Sequence, residues 1–184
     1  AIIRQRFPDY AILNLNYRLA TVTSNHFPSQ EEDMQLALAY ILQNTSSYKI
    51  SKKIVLLGMS AGAHLVLLQA YKHPHSSVKA VVDLFGPTSM ADLYNQTTDP
   101  VFLYALQILL SGTPSTNPTM YHQSSPIEYV SSQSPPTLML HGGLDPIVPS
   151  SHSTALQLKL QNAGVANQLV IYPGEGHGWL GPSL

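Results

Sequence analysis

Short apolar runs alternate with longer amphipathic stretches along most of the chain. The runs have the length and β-branched content of buried strands, and they lie at residues 9–17, 54–57, 78–85, 135–142 and 167–173. Between them, apolar residues recur at helical spacing, most clearly in 29–44, 61–70 and 153–163. Ser29 and Glu32 have the spacing of a capping box at the start of the first of these helices.

Strands that alternate with helices favour a mostly parallel sheet, and we expect helices on both of its faces. The length of 184 residues suits a single domain over residues 1–184, with about five strands. Residues 86–134 depart from the alternation, because they are rich in Pro, Ser, Thr, Tyr and Asn around one apolar helical patch at 101–110. This stretch is too long for a plain loop, so we predict a cap-like or pocket-lining insertion.

The composition excludes several classes of function. Nine basic and ten acidic side chains leave a formal net charge of −1, without a basic patch that could bind phosphates, so we expect no nucleic acid as a partner. No apolar stretch reaches the length of a membrane span. The chain has no cysteine, which excludes disulfides, thiolate metal sites and a cysteine nucleophile. The eight histidines lack the spacing of metal ligands, so we predict no metal site.

The sequence Gly58-Met59-Ser60-Ala61-Gly62 separates a predicted strand from a predicted helix. It matches the pattern G-x-S-x-G, in which a sharp and strained turn lifts the serine hydroxyl above a sheet. Small residues at Gly58 and Gly62 are expected to prevent a collision across this nucleophile elbow. The backbone N–H of Ala61 then lies at a helix N-terminus, where it can bind a developing oxyanion. The alternative is a tight turn whose serine caps the helix.

A serine nucleophile needs a base and an orienting carboxylate. In proteins with a strand–turn–helix elbow, the three residues follow one another along the chain in the order Ser, Asp, His. Asp145 lies just past a predicted strand, at the rim where the elbow also lies. Its alternative role is an Asx turn ahead of Pro146. His177 follows the last strand and is flanked by glycines, so its loop can place an imidazole over the elbow. The alternative is a solvated loop histidine.

Other titratable residues rank lower as candidates. Asp83 precedes a strand end, and His64 lies one turn into the helix after the serine, where we expect it to pack or to cap. His152 is expected at the surface. His141 ends the strand that delivers Asp145, so we do not assign it to an oxyanion loop.

Taken together, these segments resemble the α/β-hydrolase superfamily, and within it the esterases and lipases of the hormone-sensitive-lipase and BD-FAE groups. GMSAGAHL resembles the elbow of that group, PPTLMLHGGLDPIVP resembles its acid loop, and GVANQLVIYPGEGHGW resembles its histidine loop. The resemblance covers nearly the whole chain and implies the α/β-hydrolase fold. It also implies Ser60 as nucleophile, His177 as base and Asp145 as its orienter. The reaction implied is hydrolysis of a small-molecule carboxylic ester without a cofactor.

The chain departs from this family at its beginning. The family carries an H-G-G motif, which supplies a second oxyanion donor, on a loop well before the segment that DYAILNLNYRLA resembles, and residues 1–7 here resemble the tail of the helix after that loop. The resemblance therefore implies that the first strands are lacking. We expect weak or no activity of this chain alone, because an oxyanion donor is missing. We also expect the exposed sheet edge to favour a homodimer.

Two further hypotheses stay open. GMSAGAHL also resembles the elbow of arylformamidases, so the same three residues suit an amidase or a peptidase. A third hypothesis, from another class, is a relative that has kept the fold as a non-catalytic binding module. The sequence names neither the acyl group nor the alcohol group of a substrate, and it assigns no compartment.

Overall fold

The computed structural model describes residues 5–178, in which strands and helices alternate. In chain order the elements are α1 (Ser29–Gln43), α2 (Thr45–Tyr48), β1 (Ile54–Met59), α3 (Ala61–Lys72), β2 (Val78–Leu84), α4 (Met90–Gln96), α5 (Pro100–Leu110), α6 (Pro118–Gln123), a 3₁₀ helix (Pro126–Tyr129), β3 (Thr137–Gly142), α7 (Ser151–Asn162) and β4 (Asn167–Tyr172). Gln5 and Arg6 are also helical. The remainder of the predicted helix tail, residues 1–4, lies outside the described residues.

The four strands form one parallel sheet in the order β1-β2-β3-β4. The register places Leu84 at the end of β2 opposite Leu140 in β3. Because the strands are parallel, their carboxyl ends lie along one rim, and the loops that follow β1, β3 and β4 all start there. The predicted α/β architecture with a parallel sheet is therefore confirmed, and the three candidate loops share one rim.

The helices cover one face of this sheet. Leu56, Val81 and Met139 are buried there, in a single apolar core with side chains of α1, α3 and α7. Successive side chains of a strand point to opposite faces, and on the other face Val55 and Leu57 are 46% and 45% exposed. Within residues 5–178 the helices expected on both faces are thus found on one. We call the two sides the covered face and the open face.

The prediction of a strand at residues 9–17 is wrong, because this segment has no regular secondary structure. Leu15 and Tyr17 pack against the core, which accounts for the apolar pattern. Side-chain contacts hold the chain just beyond it, since the backbone N–H of Arg18 donates to the Asp33 carboxylate at 2.8 Å. An extended segment becomes a strand only when a neighbouring backbone pairs with it. The sheet of the described residues therefore has four strands instead of about five.

The first helix begins without the predicted capping box. Pro28 is the N-cap and Ser29 is already helical, so the Ser29 hydroxyl caps none of the N–H groups of α1 (Ser29–Gln43). The Glu32 carboxylate instead lies 3.2 Å from the guanidinium of Arg18. The predicted apolar face of the helix is formed, and its buried members are Met34, Leu38 and Ile41.

Residues 86–134 fold into three short helices and the 3₁₀ helix. Their side chains form a second apolar cluster together with three buried side chains from outside the segment, one of them in α3. Helix α5 buries Leu106 and Leu110 in this cluster, while Val101 and Tyr104 on the same helix are exposed. The segment is therefore a small packed unit with an apolar outer surface.

The longest helix described is α1, which has 15 residues and carries Glu31 and Glu32 in its first turn. Accordingly, none of the helices within residues 5–178 combines the length and the apolarity that crossing a membrane requires. The same residues contain no group of three or more His, Asp or Glu side chains that could hold a metal ion.

Candidate active site

Ser60 lies on a sharp turn between β1 and α3. Its φ is 51° and its ψ is −119°, and a positive φ is strained for a residue with a side chain. The Ser60 N–H donates to the carbonyl of Leu84 at 2.9 Å, which ties the turn to the end of β2. The side chain caps none of the N–H groups of α3 (Ala61–Lys72). The turn therefore presents the hydroxyl at the rim of the sheet.

The two glycines of the turn have different surroundings. A Cβ at Gly58 would collide with the backbone of Gly62 and Ala63, so the close approach of strand and helix requires a glycine there. A Cβ at Gly62 would meet no described atom within 4 Å. The collision argument made from the sequence thus applies to Gly58 and fails for Gly62, whose missing Cβ would point into open space.

The fold brings His177 next to Ser60. His177 lies on the loop after β4, and its Nε2 is 2.8 Å from the Ser60 Oγ. Its ring packs edge-to-face against Phe85, with 4.8 Å between centroids and 66° between planes. Phe85 follows β2 with a φ of 48°, a left-handed conformation that is rare for a bulky side chain. One polar and one apolar contact therefore hold the imidazole at the rim.

Asp145 extends this contact into a continuous hydrogen-bonded chain. Its Oδ2 accepts the Nδ1–H of His177 at 2.7 Å. Its Oδ1 accepts the N–H groups of Ile147 and Val148, both at 2.9 Å, which is the Asx turn considered from the sequence. The two roles coexist because each uses its own carboxylate oxygen.

The order of these hydrogen bonds decides what the three groups can do. Because the carboxylate of Asp145 accepts the Nδ1–H, the Nε2 of His177 is the acceptor that faces the Ser60 hydroxyl. Ala61 is the first residue of α3, so its N–H has no acceptor inside the helix and lies at the positive end of the helix dipole. A hydroxyl with a base beside it, next to such a donor, is suited to attack on a carbonyl carbon.

Two residues that lie next to Ser60, His177 and Asp145 in the structure were not predicted from the sequence. Phe85 has no sequence signal, because its contact with His177 joins loops after different strands. From the sequence, His141 is predicted only to end a strand. In the structure its Nε2 lies 3.3 Å from Oδ2 of Asp145. Its spacing of four residues before Asp145 is the one signal that could have suggested the contact.

Three further titratable side chains are buried. His152 is buried in α7, so the prediction of a surface position is wrong, and burial lowers its pKa to about 4. Its Nδ1 accepts the N–H of Thr88 at 3.2 Å, which ties α7 to the loop after β2. Asp83 is fully buried, and burial raises its pKa to about 7. His64 packs as expected, and its Nε2–H donates to the carbonyl of Ser124 at 2.6 Å.

Known proteins similar to this chain include named esterases. The chain is 29% identical over 152 residues to the esterase LipQ of Mycobacterium tuberculosis, across 76% of this chain and 36% of LipQ. It is 25% identical to the esterase LipC of the same organism, across 92% of this chain and 45% of LipC. It therefore spans between about a third and about half of the length of these curated relatives.

A solved structure and a family model agree with these relatives. The truncated form of a carbohydrate esterase from gut microbiota superposes with a TM-score of 0.76 and 28% identity, across 89% of this chain and 65% of that one. Residues 2–160 match the BD-FAE family model. The fold is that of an α/β-hydrolase, and the chain belongs to the BD-FAE family.

Proposed function

We propose that this chain is a serine hydrolase that cleaves carboxylic esters, with Ser60 as nucleophile, His177 as base and Asp145 as its orienter. The observation that carries the proposal is the hydrogen-bonded chain from Ser60 through His177 to Asp145, with distances of 2.8 and 2.7 Å. LipQ and LipC are named esterases and the similar solved structure is a carbohydrate esterase, which supports esters over amides as substrates.

Acylation begins at the Ser60 hydroxyl. Its Oγ attacks the carbonyl carbon of the ester while the Nε2 of His177 takes the hydroxyl proton, which produces a tetrahedral intermediate beside an imidazolium. When the intermediate collapses, the bond to the alcohol oxygen breaks. The imidazolium gives its proton to that oxygen, so the alcohol leaves neutral and the acyl group stays on Ser60.

Asp145 and Ala61 stabilise the charges that these steps create. The Asp145 carboxylate holds the Nδ1–H of His177 and stabilises the imidazolium, and the N–H of Ala61 donates to the oxyanion. Deacylation repeats the sequence with water. His177 takes a proton from the water as its oxygen attacks the acyl carbon, and then returns it to the departing Ser60 Oγ while the carboxylic acid is released.

In this proposal, residues 86–134 line the substrate pocket within the single domain. The segment starts directly after Phe85, which contacts His177, and its helix α5 exposes Val101 and Tyr104. Exposed apolar side chains in a segment that begins at the rim suit the apolar part of an ester. Y104S is expected to raise KM for p-nitrophenyl esters of longer acids by about tenfold with kcat unchanged. An unchanged KM at every acyl length would contradict this assignment.

A homodimer through the sheet edge is the second part of the proposal. β1 is an edge strand, without a partner on its outer side within residues 5–178, and the nearby side chains of Val55, Leu57 and Met59 are exposed. Such an edge favours pairing with another chain. Light scattering is expected to report a dimer that L57K separates into monomers. L36K adds the same charge at an exposed position of α1 and should keep the dimer. A monomeric parent chain would contradict the proposal.

Hydrolysis of p-nitrophenyl acetate and butyrate, compared with the matching p-nitroanilides, tests the reaction class. We expect turnover of both esters, slower cleavage of the anilides, and loss of all turnover in S60A. Ester turnover no higher than that of S60A, in a chain with a cooperative melting transition, would contradict the proposal. Faster cleavage of the anilides would favour the amidase hypothesis.

A further inference from the structure

We propose that His141 is a positioning residue, which acts on His177 by placing the dipole of a fixed N–H beside the carboxylate oxygen of Asp145 that His177 uses. The Nε2 of His141 lies 3.3 Å from Oδ2 of Asp145, and both side chains are fully buried. The same Oδ2 accepts the Nδ1–H of His177 at 2.7 Å. One carboxylate oxygen is thus placed between two imidazoles, one at the nucleophile and one inside the protein.

The neighbouring groups identify which nitrogen of His141 carries the proton. Nε2 lies 2.8 Å from the carbonyl oxygen of Val148, which can only accept, so Nε2 bears the hydrogen. Nδ1 then accepts the hydroxyl proton of Ser153 at 2.7 Å. Burial lowers the pKa of His141, which keeps the ring neutral. His141 therefore directs a fixed N–H, without net charge, at the carbonyl of Val148, and Oδ2 of Asp145 lies 3.3 Å from the same nitrogen.

The surroundings make this N–H effective. A dipole 3.3 Å from a carboxylate oxygen acts with little screening when both groups are shielded from water. The titratable groups that act on His141 are Asp145, His177 and His152. Burial keeps His152 neutral near pH 7, with a pKa of about 4. The N–H of His141 therefore offsets part of the Oδ2 charge, which would otherwise act fully on His177.

Other hydrogen bonds also hold the Asp145 carboxylate, so the contact with His141 can be removed without unfolding the loop. The Oδ1 of Asp145 accepts the backbone N–H groups of Ile147 and Val148. Loss of the His141 donor should therefore leave the carboxylate in place and concentrate its charge on the contact with His177. The imidazolium of His177 would then be stabilised more strongly.

Four variants separate this electrostatic role from a packing role. H141Q keeps an N–H donor near the Nε2 position, whereas H141M has the same side-chain length without a donor. H141N keeps a polar group near Nδ1 but is too short to reach Asp145, and it replaces H141M if that variant does not fold. S153A disturbs the same buried cluster and leaves the Nε2–H in place.

The first readout is the pH dependence of kcat/KM for p-nitrophenyl acetate. This readout rests on the proposed function, because it requires esterase turnover. In H141M and H141N the acid limb is expected to move to higher pH by about half a unit, the size of one weak charge-assisted contact. H141Q and S153A should keep the acid limb of the parent chain. An acid limb that is the same in all four variants, with only the melting temperature lowered, would reveal a packing role and overturn the inference.

The second readout needs no turnover. A proton on Nδ1 of His177, bound to a carboxylate, gives a far-downfield 1H NMR signal that is assigned by its loss in H177A. Removal of the competing donor should move this signal further downfield in H141M and H141N, but not in H141Q. A moved signal without esterase turnover would support the inference and contradict the proposed function. Turnover with an unmoved signal would overturn the inference and leave the proposed function standing.

Discussion

The two faces of the sheet carry similar apolar side chains in very different surroundings. Leu56, Val81 and Met139 on the covered face are buried under helices, while Val55 and Leu57 on the open face keep nearly half of their surface exposed. A strand whose backbone is paired can therefore keep the apolar side chains of one face largely exposed. The side chains of a sheet face contribute much to stability only when another element packs on that face and buries them.

Buried polar groups that support the site belong to the covered face. Asp83 pairs in register with Met139, and His141 lies two residues further along β3, so both side chains point to the same side as Met139. Gly58 lies two residues after Leu56 and meets α3 there. The covered face thus combines the apolar core with the groups that shape the rim, and paired substitutions on the two faces can test this division.

The largest effect is expected from D145N, compared with M59L. An amide in place of the carboxylate no longer stabilises the His177 imidazolium, so ester turnover should fall by about 10⁴-fold, while its oxygen can still accept the backbone N–H groups that hold the loop. Met59 precedes Ser60 but is exposed on the open face. M59L should leave turnover within about twofold, as a volume-conserving change does. Equal losses in the two variants would break the comparison.

The next effect concerns the glycines of the elbow. G58A places a Cβ against the backbone of α3, so it should lower the free energy of unfolding by about 3 kcal/mol. G62A meets open space and adds a better helix former, so it should raise the free energy of unfolding by up to about 1 kcal/mol. Urea titration of both variants measures the difference. A G58A variant as stable as the parent chain would refute the close contact of strand and helix.

A matched pair of valines measures the two faces directly. V81A empties space in the core and should cost about 2 kcal/mol of the free energy of unfolding, because Val81 is 0% exposed. V55A removes the same atoms from the open face and should cost less than about 1 kcal/mol. The same urea titrations apply. Similar costs would contradict the division between the faces, because they would mean that the open face is covered in solution.

A pH dependence of stability is also expected, from Asp83. Burial raises its pKa to about 7 from the ordinary 3.8, so the folded chain keeps a proton that the unfolded chain releases between pH 4 and 7. Stability should therefore fall as the pH rises through this window and stay level above it. D83N has no carboxyl group to titrate, so it should not lose stability in this way. Its gain in melting temperature over the parent chain should therefore grow from pH 4 to pH 7. A difference in D83N that stays constant across this range would contradict the assignment.

Elements with local signals were predictable from the sequence. The strands that begin at Ile54, Val78, Thr137 and Asn167 are short and mainly apolar, and each is bounded by polar, Gly or Pro residues. The loops of Ser60, Asp145 and His177 follow from those strands, because parallel strands end at the same rim. A few local patterns therefore suffice to place three distant residues together.

Features that depend on a tertiary partner were not predictable. The apolar residues 9–17 pack on the core without joining the sheet, and no local pattern distinguishes the two outcomes. Phe85 contacts His177 and His141 lies beside Asp145 across loops, so these contacts follow from distances that a single sequence does not contain. The difference between the covered and open faces is of the same kind, since β1 carries apolar side chains on both.

Labelling with a fluorophosphonate, read by intact mass beside S60A, tests the central claim most directly. The proposed function predicts one covalent adduct per chain, formed on Ser60 and lost in S60A, because a base must activate the hydroxyl for it to react. A folded chain that takes up no label, or an S60A variant that takes up as much as the parent, would contradict the assignment of Ser60 as nucleophile.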